Sequence, residues 1–208
     1  MNPKESIIDL EIFPIVEDFY SIQGEGFHTG KPAYFLRIGG CNVCCGFCDV
    51  KESWNPHIHK KESISSIISK IKEHPAKSIV ITGGEPLMNN LDELCKAITA
   101  EGIETFLETS GTHPFSGIWN WVCLSPKKHH KPLEENYKFA NELKVVIDKS
   151  LDFKWAETCK EKVSKNCLLY IQPEWNSYEI VIPAIVNYIK ENPEWRISIQ
   201  THKFLNIP

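Results

Sequence analysis

Short apolar runs punctuate the chain, and between them lie stripes with the 3.6-residue period of a helix. The runs Tyr34–Ile38, Ser78–Thr82, Thr105–Glu108, Trp121–Leu124, Leu143–Ile147, Leu168–Gln172 and Arg196–Gln200 are bounded by Gly, Pro or polar residues. That pattern suits strands buried on both faces. Ile64, Ile67, Ile68 and Ile71 recur at i, i+3, i+4 and i+7, as do Leu91, Leu94, Cys95 and Ile98, and Val181, Ala184, Ile185, Tyr188 and Ile189 repeat the stripe late in the chain. Such stripes predict helices lying on a core. Strand and helix alternate, so an α/β fold with a mostly parallel sheet is expected. Six or seven strands fall short of the eight of a closed barrel, which predicts a partial, open parallel β/α barrel. Ligands then sit at the carboxyl ends of the strands. No linker or repeat divides the 208 residues, so one domain over residues 1–208 is expected.

Composition narrows the function. Hydrophobic residues at 42% and charged residues at 24% are ordinary for a folded chain and argue against disorder. A net charge of −4 does not suit a general nucleic-acid binder that works by neutralising phosphates. One basic cluster, Lys127-Lys128-His129-His130-Lys131, is enough for a small anion. No apolar run approaches the roughly 18 residues of a membrane span. Met1-Asn2-Pro3-Lys4-Glu5, followed by Asp9 and Glu11, leaves no room for the apolar segment of a signal peptide, so a cytoplasmic protein with no membrane partner is expected.

Cysteine carries the chemistry. Of eight cysteines, Cys41, Cys44, Cys45 and Cys48 crowd into one run, while Cys95, Cys123, Cys159 and Cys167 sit among apolar neighbours as small buried hydrophobes. In a reducing cytosol a tight cluster points to metal binding or redox chemistry. Two registers are open, Cys41-x3-Cys45-x2-Cys48 and Cys41-x2-Cys44-x3-Cys48. Either offers three thiolates from one loop, enough to hold an iron–sulfide cluster with one iron left bare for chemistry. A structural zinc site in a non-catalytic module is the competing reading, but there is no second Cys-x2-Cys pair and His57 and His59 stand alone.

Cys41-x3-Cys45-x-Phe47-Cys48 resembles the signature of the radical S-adenosylmethionine (SAM) superfamily, and Phe47 favours the first register. Gly83-Gly84-Glu85-Pro86, after the next predicted strand, resembles the segment with which these enzymes bind the methionine amino group. Three further stretches resemble the 7-carboxy-7-deazaguanine synthases, the ring-contracting family of queuosine (7-deazapurine) biosynthesis. They are Tyr20-Ser21-Ile22-Gln23-Gly24-Glu25-Gly26, Phe35-Leu36-Arg37-Ile38-Gly39-Gly40-Cys41-Asn42 and Gln200-Thr201-His202-Lys203-Phe204-Leu205-Asn206-Ile207-Pro208. With Leu107–Gly111, Leu124–Lys127 and Ile171–Pro173, the likeness runs from Phe19 to Pro208.

The resemblance implies a compact radical SAM core and a lyase that turns 6-carboxy-5,6,7,8-tetrahydropterin into 7-carboxy-7-deazaguanine with loss of ammonia, started by a 5′-deoxyadenosyl radical. It implies a 4Fe-4S cluster on Cys41, Cys45 and Cys48, with Cys44 spare. SAM would meet Phe47, Cys48, Asp49, Gly84, Ser125, Pro126, Lys127, Gln172, Pro173, Glu174 and Trp175, with Glu108 a weaker candidate. The pterin would meet Ile22, Gln23, Gly24, Glu25, Arg37, Thr82, His202 and Pro208. No side chain acts as a catalyst apart from the cofactor. Physically, the Gln23 amide and the Glu25 carboxylate suit a ring edge carrying amide and amino groups, and Arg37 can fork onto a carboxylate. An electron donor such as flavodoxin or ferredoxin and a homodimer are implied as partners. One departure stands out: where the family places a hydroxyl residue that binds magnesium, this chain has Val50, which offers no side-chain oxygen to a hard cation. A glycyl-radical activase shares the small core and is the other enzyme reading, although Gln23, Glu25, Arg37 and His202 suggest an enclosed small-molecule pocket.

Overall fold

The structure, a computed structural model, describes residues 11–208. The charged N-terminal stretch up to Asp9 lies outside the described residues. Among the described residues nine strands form one sheet. In chain order they are β1 (Ile12–Ile22), β2 (Pro32–Ile38), β3 (Lys60–Ser63), β4 (Ser78–Gly83), β5 (Glu104–Thr109), β6 (Trp121–Leu124), β7 (Glu142–Ile147), β8 (Leu168–Pro173) and β9 (Trp195–Ile197). Their spatial order is β3-β1-β2-β4-β5-β6-β7-β8-β9. From β2 to β9 every pairing is parallel, whereas β1 runs antiparallel to both β2 and β3. The ends β3 and β9 do not pair, so the barrel is open, as the alternation predicts.

Among the described residues there are five α-helices, α1 (Ile64–Lys72), α2 (Asp92–Ala100), α3 (Leu151–Lys160), α4 (Tyr178–Glu191) and α5 (Thr201–Leu205). Ser63 caps α1 by accepting the Ser66 N–H at 3.3 Å, and Ile64, Ile67 and Ile71 are wholly buried. These residues pack with Leu94, Cys95 and Ile98 of α2 and with Leu36, Ile79, Ile81 and Leu107 of the sheet in one core cluster. A second cluster gathers Leu143, Val145, Ile147, Leu169 and Ile171 under Ala156 and Cys159 of α3 and Val181 and Ile185 of α4.

All seven runs read from the sequence are strands, the last of them at Trp195–Ile197 and shorter than Arg196–Gln200. Two strands carry no apolar run. β3 is Lys-Lys-Glu-Ser, an edge strand whose lysines suit an unpaired rim, and β1 is interrupted by Pro14 and by an irregularity between Ile15 and Glu17. The late stripe needs one correction: Ala184 is exposed, and the buried seam of α4 is Val181 and Ile185 with Tyr188 and Ile189 partly covered.

Candidate active site

The carboxyl ends of the parallel strands frame a cavity of about 680 Å³. Strand alternation decides what faces it. In β2, Tyr34, Leu36 and Ile38 lie in the core beneath the helices, while Phe35 and Arg37 line the cavity. The inward series continues with Val80 and Thr82, then Glu108, then Lys144 and Val146, then Gln172. Toward the amino ends of the strands, Ala33, Val80 and Phe106 pack with Phe35 and Trp121 into a small apolar floor.

The cysteine loop leaves β2 through two glycines. Gly39 N–H donates to the Pro14 carbonyl at 2.7 Å, Gly40 N–H to the Ser53 carbonyl at 2.7 Å and Cys41 N–H to the Trp54 carbonyl at 3.2 Å, so the loop is pinned at its start. Cys41, Cys45 and Cys48 line the cavity and form no disulfide. Cys44 lies outside that lining, is exposed, has φ 51° and turns its Sγ toward the Cys41 carbonyl at 3.5 Å. Burial raises the Cys41 and Cys45 thiols above their usual range, and the Lys127 ammonium draws Cys45 partly back.

The glycines after β4 have a packing reason. A Cβ on Gly83 would stand 2.4 Å from the Ile38 carbonyl oxygen, and one on Gly84 would stand 2.1 Å from that of Gly40. With both side chains absent, the two loops close up and Glu85 N–H reaches the Gly40 carbonyl at 2.7 Å. The Glu85 carboxylate is buried and accepts from Thr109 Oγ1 at 2.5 Å, from Ser110 N–H at 2.7 Å and Ser110 Oγ, and from Leu87 N–H at 3.1 Å. One carboxylate thus ties the ends of β4 and β5 together.

The same cavity contains a polar wall. Lys144 is buried in β7, with Nζ 2.7 Å from Glu25 Oε2 and 2.9 Å from Glu108 Oε2. Gln200 Nε2 donates to Glu25 Oε1 at 2.9 Å, and Gln23 Nε2 to Glu108 Oε1 at 3.4 Å. Burial alone would push the Glu25 carboxyl up, but the charge and hydrogen bond of Lys144, with the Gln200 amide, hold it at about 2. Burial likewise works against the Lys144 charge, and the carboxylates around it hold the ammonium well above its usual range.

Arg37 donates through Nε to Glu17 at 2.7 Å and through Nη1 to the Gly83 carbonyl at 3.1 Å. His202 packs against bare Gly24, where a Cβ would lie 2.2 Å from Nδ1, and burial lowers its pKa so that the ring is neutral at pH 7. Lys127 donates to the carbonyl and hydroxyl of Ser125 at 2.8 and 2.7 Å. Burial lowers the Lys127 pKa as well. The C-terminal segment runs across the open side: Thr201 N–H bonds the Gly24 carbonyl at 2.9 Å, Gly26 N–H bonds Ser198 Oγ at 2.9 Å, and Ser21 Oγ bonds the Pro208 carbonyl at 3.0 Å. Asp49 meets Lys203 at 3.0 Å, and Lys203 lies over the Trp175 ring at 4.9 Å.

The Radical SAM superfamily profile matches residues 36–122. A 7-carboxy-7-deazaguanine synthase of Flavobacterium psychrophilum is 50% identical over 198 residues, covering 95% of this chain and 94% of that protein. One from Synechocystis sp. is 41% identical over 207 residues, covering 100% and 99%. This chain belongs to the 7-carboxy-7-deazaguanine synthase family. The crystal structure of QueE from Escherichia coli superposes with a TM-score of 0.81 at 28% identity, over 96% of this chain and 99% of that one. The chain is therefore a radical SAM lyase by family, with the mixed α/β, open-sheet fold of its relatives, and this family uses a 4Fe-4S cluster and SAM.

For a 7-carboxy-7-deazaguanine synthase the donor set is apt. Among the described residues no three His, Cys, Asp or Glu side chains converge on the position of a single ion. A cubic cluster is held at separate corners and needs no such point of convergence. Three unpaired thiols on one loop, facing a cavity, suit it. The cavity lining includes every residue that the sequence assigned to cluster, SAM or pterin except Pro126, which is buried behind it. His59 is committed to the Glu52 carbonyl at 2.8 Å. Lys144 and Gln200 escaped the sequence reading, as did the Glu17 partner of Arg37. The one signal available for Lys144 was a cation inside the apolar run Leu143–Ile147.

Proposed function

We propose that this chain converts 6-carboxy-5,6,7,8-tetrahydropterin into 7-carboxy-7-deazaguanine and ammonia. Atoms and electrons balance without a net oxidant, since product and ammonia together contain all the atoms of the substrate. When bound, the cluster and SAM supply the hydrogen-abstracting radical that starts the contraction. The chain's own residues bind, orient and exclude water. Cys41, Cys45 and Cys48 would hold the cluster. Phe47, Asp49, Gly84, Ser125, Lys127 and Gln172 to Trp175 would hold SAM, with the Lys127 ammonium available to pair with its carboxylate. Gln23 and Glu25 pair with the amide and amino edge of the pterin, and Glu25 does so as a carboxylate because Lys144 keeps it ionised. The Arg37 guanidinium and neutral His202 approach the substrate from the walls, while Ile22, Gly24, Thr82 and Pro208 complete its pocket.

The observation that carries this reading is that three cysteines and a carboxylate–amide–lysine wall line one and the same cavity. A protein reductant, a single domain over the whole chain, a homodimer and a cytoplasmic location belong to the same proposal. No helix among the described residues is long and apolar enough to cross a membrane. Magnesium fits poorly: Val50 has no side-chain oxygen, its carbonyl accepts from Ser53 N–H at 3.1 Å and Ser53 Oγ at 2.6 Å, and Asp49 is paired with Lys203. No step is assigned to that ion. Anaerobically reconstituted protein, given SAM, dithionite and the carboxy-tetrahydropterin, should form the deazaguanine, detected by chromatography and mass. A brown, cluster-loaded preparation that leaves the pterin intact would overturn the assignment.

A further inference from the structure

The basic run Lys127–Lys131 is only partly used by the cavity. Lys127 lines it, whereas Lys128, His129 and Lys131 are exposed and do not. Between this loop and α3 lies a shallow depression of about 330 Å³, lined by Lys128, Lys131, Leu151, Lys154, Trp155 and Thr158. Lys128 is neutralised by Asp152, whose other oxygen accepts the Asp148 and Lys149 N–H groups at 2.9 Å each. Lys131 and Lys154 have no ion pair among the described residues. Leu151 is 68% exposed beside them, giving an apolar centre with a cationic rim. In a chain of net charge −4 this patch has the opposite sign. It is also wired to the cysteine loop, because His129 Nε2 bonds the carbonyl of Val43, which lies between Cys41 and Cys45, at 2.8 Å.

We propose that loop 127–131 and α3 form the docking surface for a small acidic electron-carrier protein. The inference rests on the reading above, in which the chain holds a cluster that must be reduced. The carrier loses one electron and the cluster gains it, with no atom transferred. Transient redox partners meet over small interfaces, and complementary charge there sets the encounter rate more than the final affinity. Lys131 and Lys154 supply that charge, and Leu151 and Trp155 supply the contact.

The test titrates the holoenzyme with fluorescently labelled acidic flavodoxin and reads anisotropy at low and high salt. The Lys131→Glu, Lys154→Glu double variant should bind at least about tenfold more weakly at low salt, with the gap closing as salt screens the charges. Its flavodoxin-driven turnover should fall while dithionite-driven turnover stays at the wild-type rate. Unchanged flavodoxin affinity would overturn the proposal, as would an equal fall under dithionite or tighter binding of a transfer RNA through the same lysines. Binding through the patch without pterin conversion under either reductant would instead sink the proposed reaction and leave the docking surface standing.

Discussion

Replacing Lys144 by Met removes the cation on which the polar wall is built. Glu25 is held at about 2 instead of 4.5, and at about 1.4 kcal/mol per pH unit that is roughly 3 kcal/mol favouring the ionised form. Its side chain is only 17% exposed, so solvent screening removes a minor part of this. Breaking a buried pair by deleting one partner costs a similar 3–5 kcal/mol or so. For a chain of this size, roughly 3 kcal/mol lowers Tm by about 6–12 °C. The pH dependence has a defined sign. In the wild type Glu25 has a depressed pKa, so its stabilisation is complete above about 4.5 and is lost as pH falls toward 2. In the variant, burial is opposed chiefly by the Gln200 hydrogen bond alone and raises the pKa from its wild-type level, so the penalty is largest at pH 7 and relaxes on acidification toward pH 5. Calorimetry of the two cluster-free proteins at pH 7 and pH 5 reads both effects. A variant that melts within a degree or two of wild type at pH 7, or whose deficit grows at pH 5, would show that Lys144 does not hold Glu25 ionised.

Three further outcomes follow from the same geometry. Gly24→Ala places a Cβ 2.2 Å from His202 Nδ1 and must displace the ring, so KM for the pterin should rise about tenfold or more while iron content is unchanged; an unaltered KM would remove His202 from the substrate wall. Cys45→Ala should abolish iron and sulfide incorporation on reconstitution and Cys44→Ala should spare it, and the reverse pattern would overturn the register. Magnesium should stimulate turnover only weakly, and Val50→Thr should make the stimulation larger; a steep dependence already present in the wild type and unchanged in the variant would contradict the fit argument.

The parallel part of the sheet was legible because strands covered on both faces leave continuous apolar runs, and α1 and α2 because each shows one clean buried stripe. β1 and β3 were not. Pro14 and the charged pair Glu17-Asp18 break one, and four polar residues make up the other, so only the sheet context recruits them. α3 buries just Asp152, Ala156 and Cys159, too narrow a seam to show as a period. In the site, the cysteine loop and the glycine pair announce themselves because spacing and missing side chains are local properties. The Lys144–Glu25–Gln200 group joins residues 119 and 175 positions apart and depends on the register of β7 and on the path of the C-terminal segment. Nothing in the neighbourhood of any one of them reveals that arrangement.

The segment laid across the barrel's open side has a thermodynamic consequence for anything the cavity admits. None of the five residues of α5 is buried, and Phe204 and Leu205 are 56% and 60% exposed, so this stretch is moored by polar contacts to the loop after β1, by the Lys203–Asp49 pair and by the edge of the Phe204 ring against Trp175 and Tyr178 rather than by a buried core. A small molecule seated against His202 must also settle whatever motion that tether retains. Apparent affinities will therefore fall short of the contact energy by an ordering cost, and amide exchange along 198–208 should slow as occupancy rises.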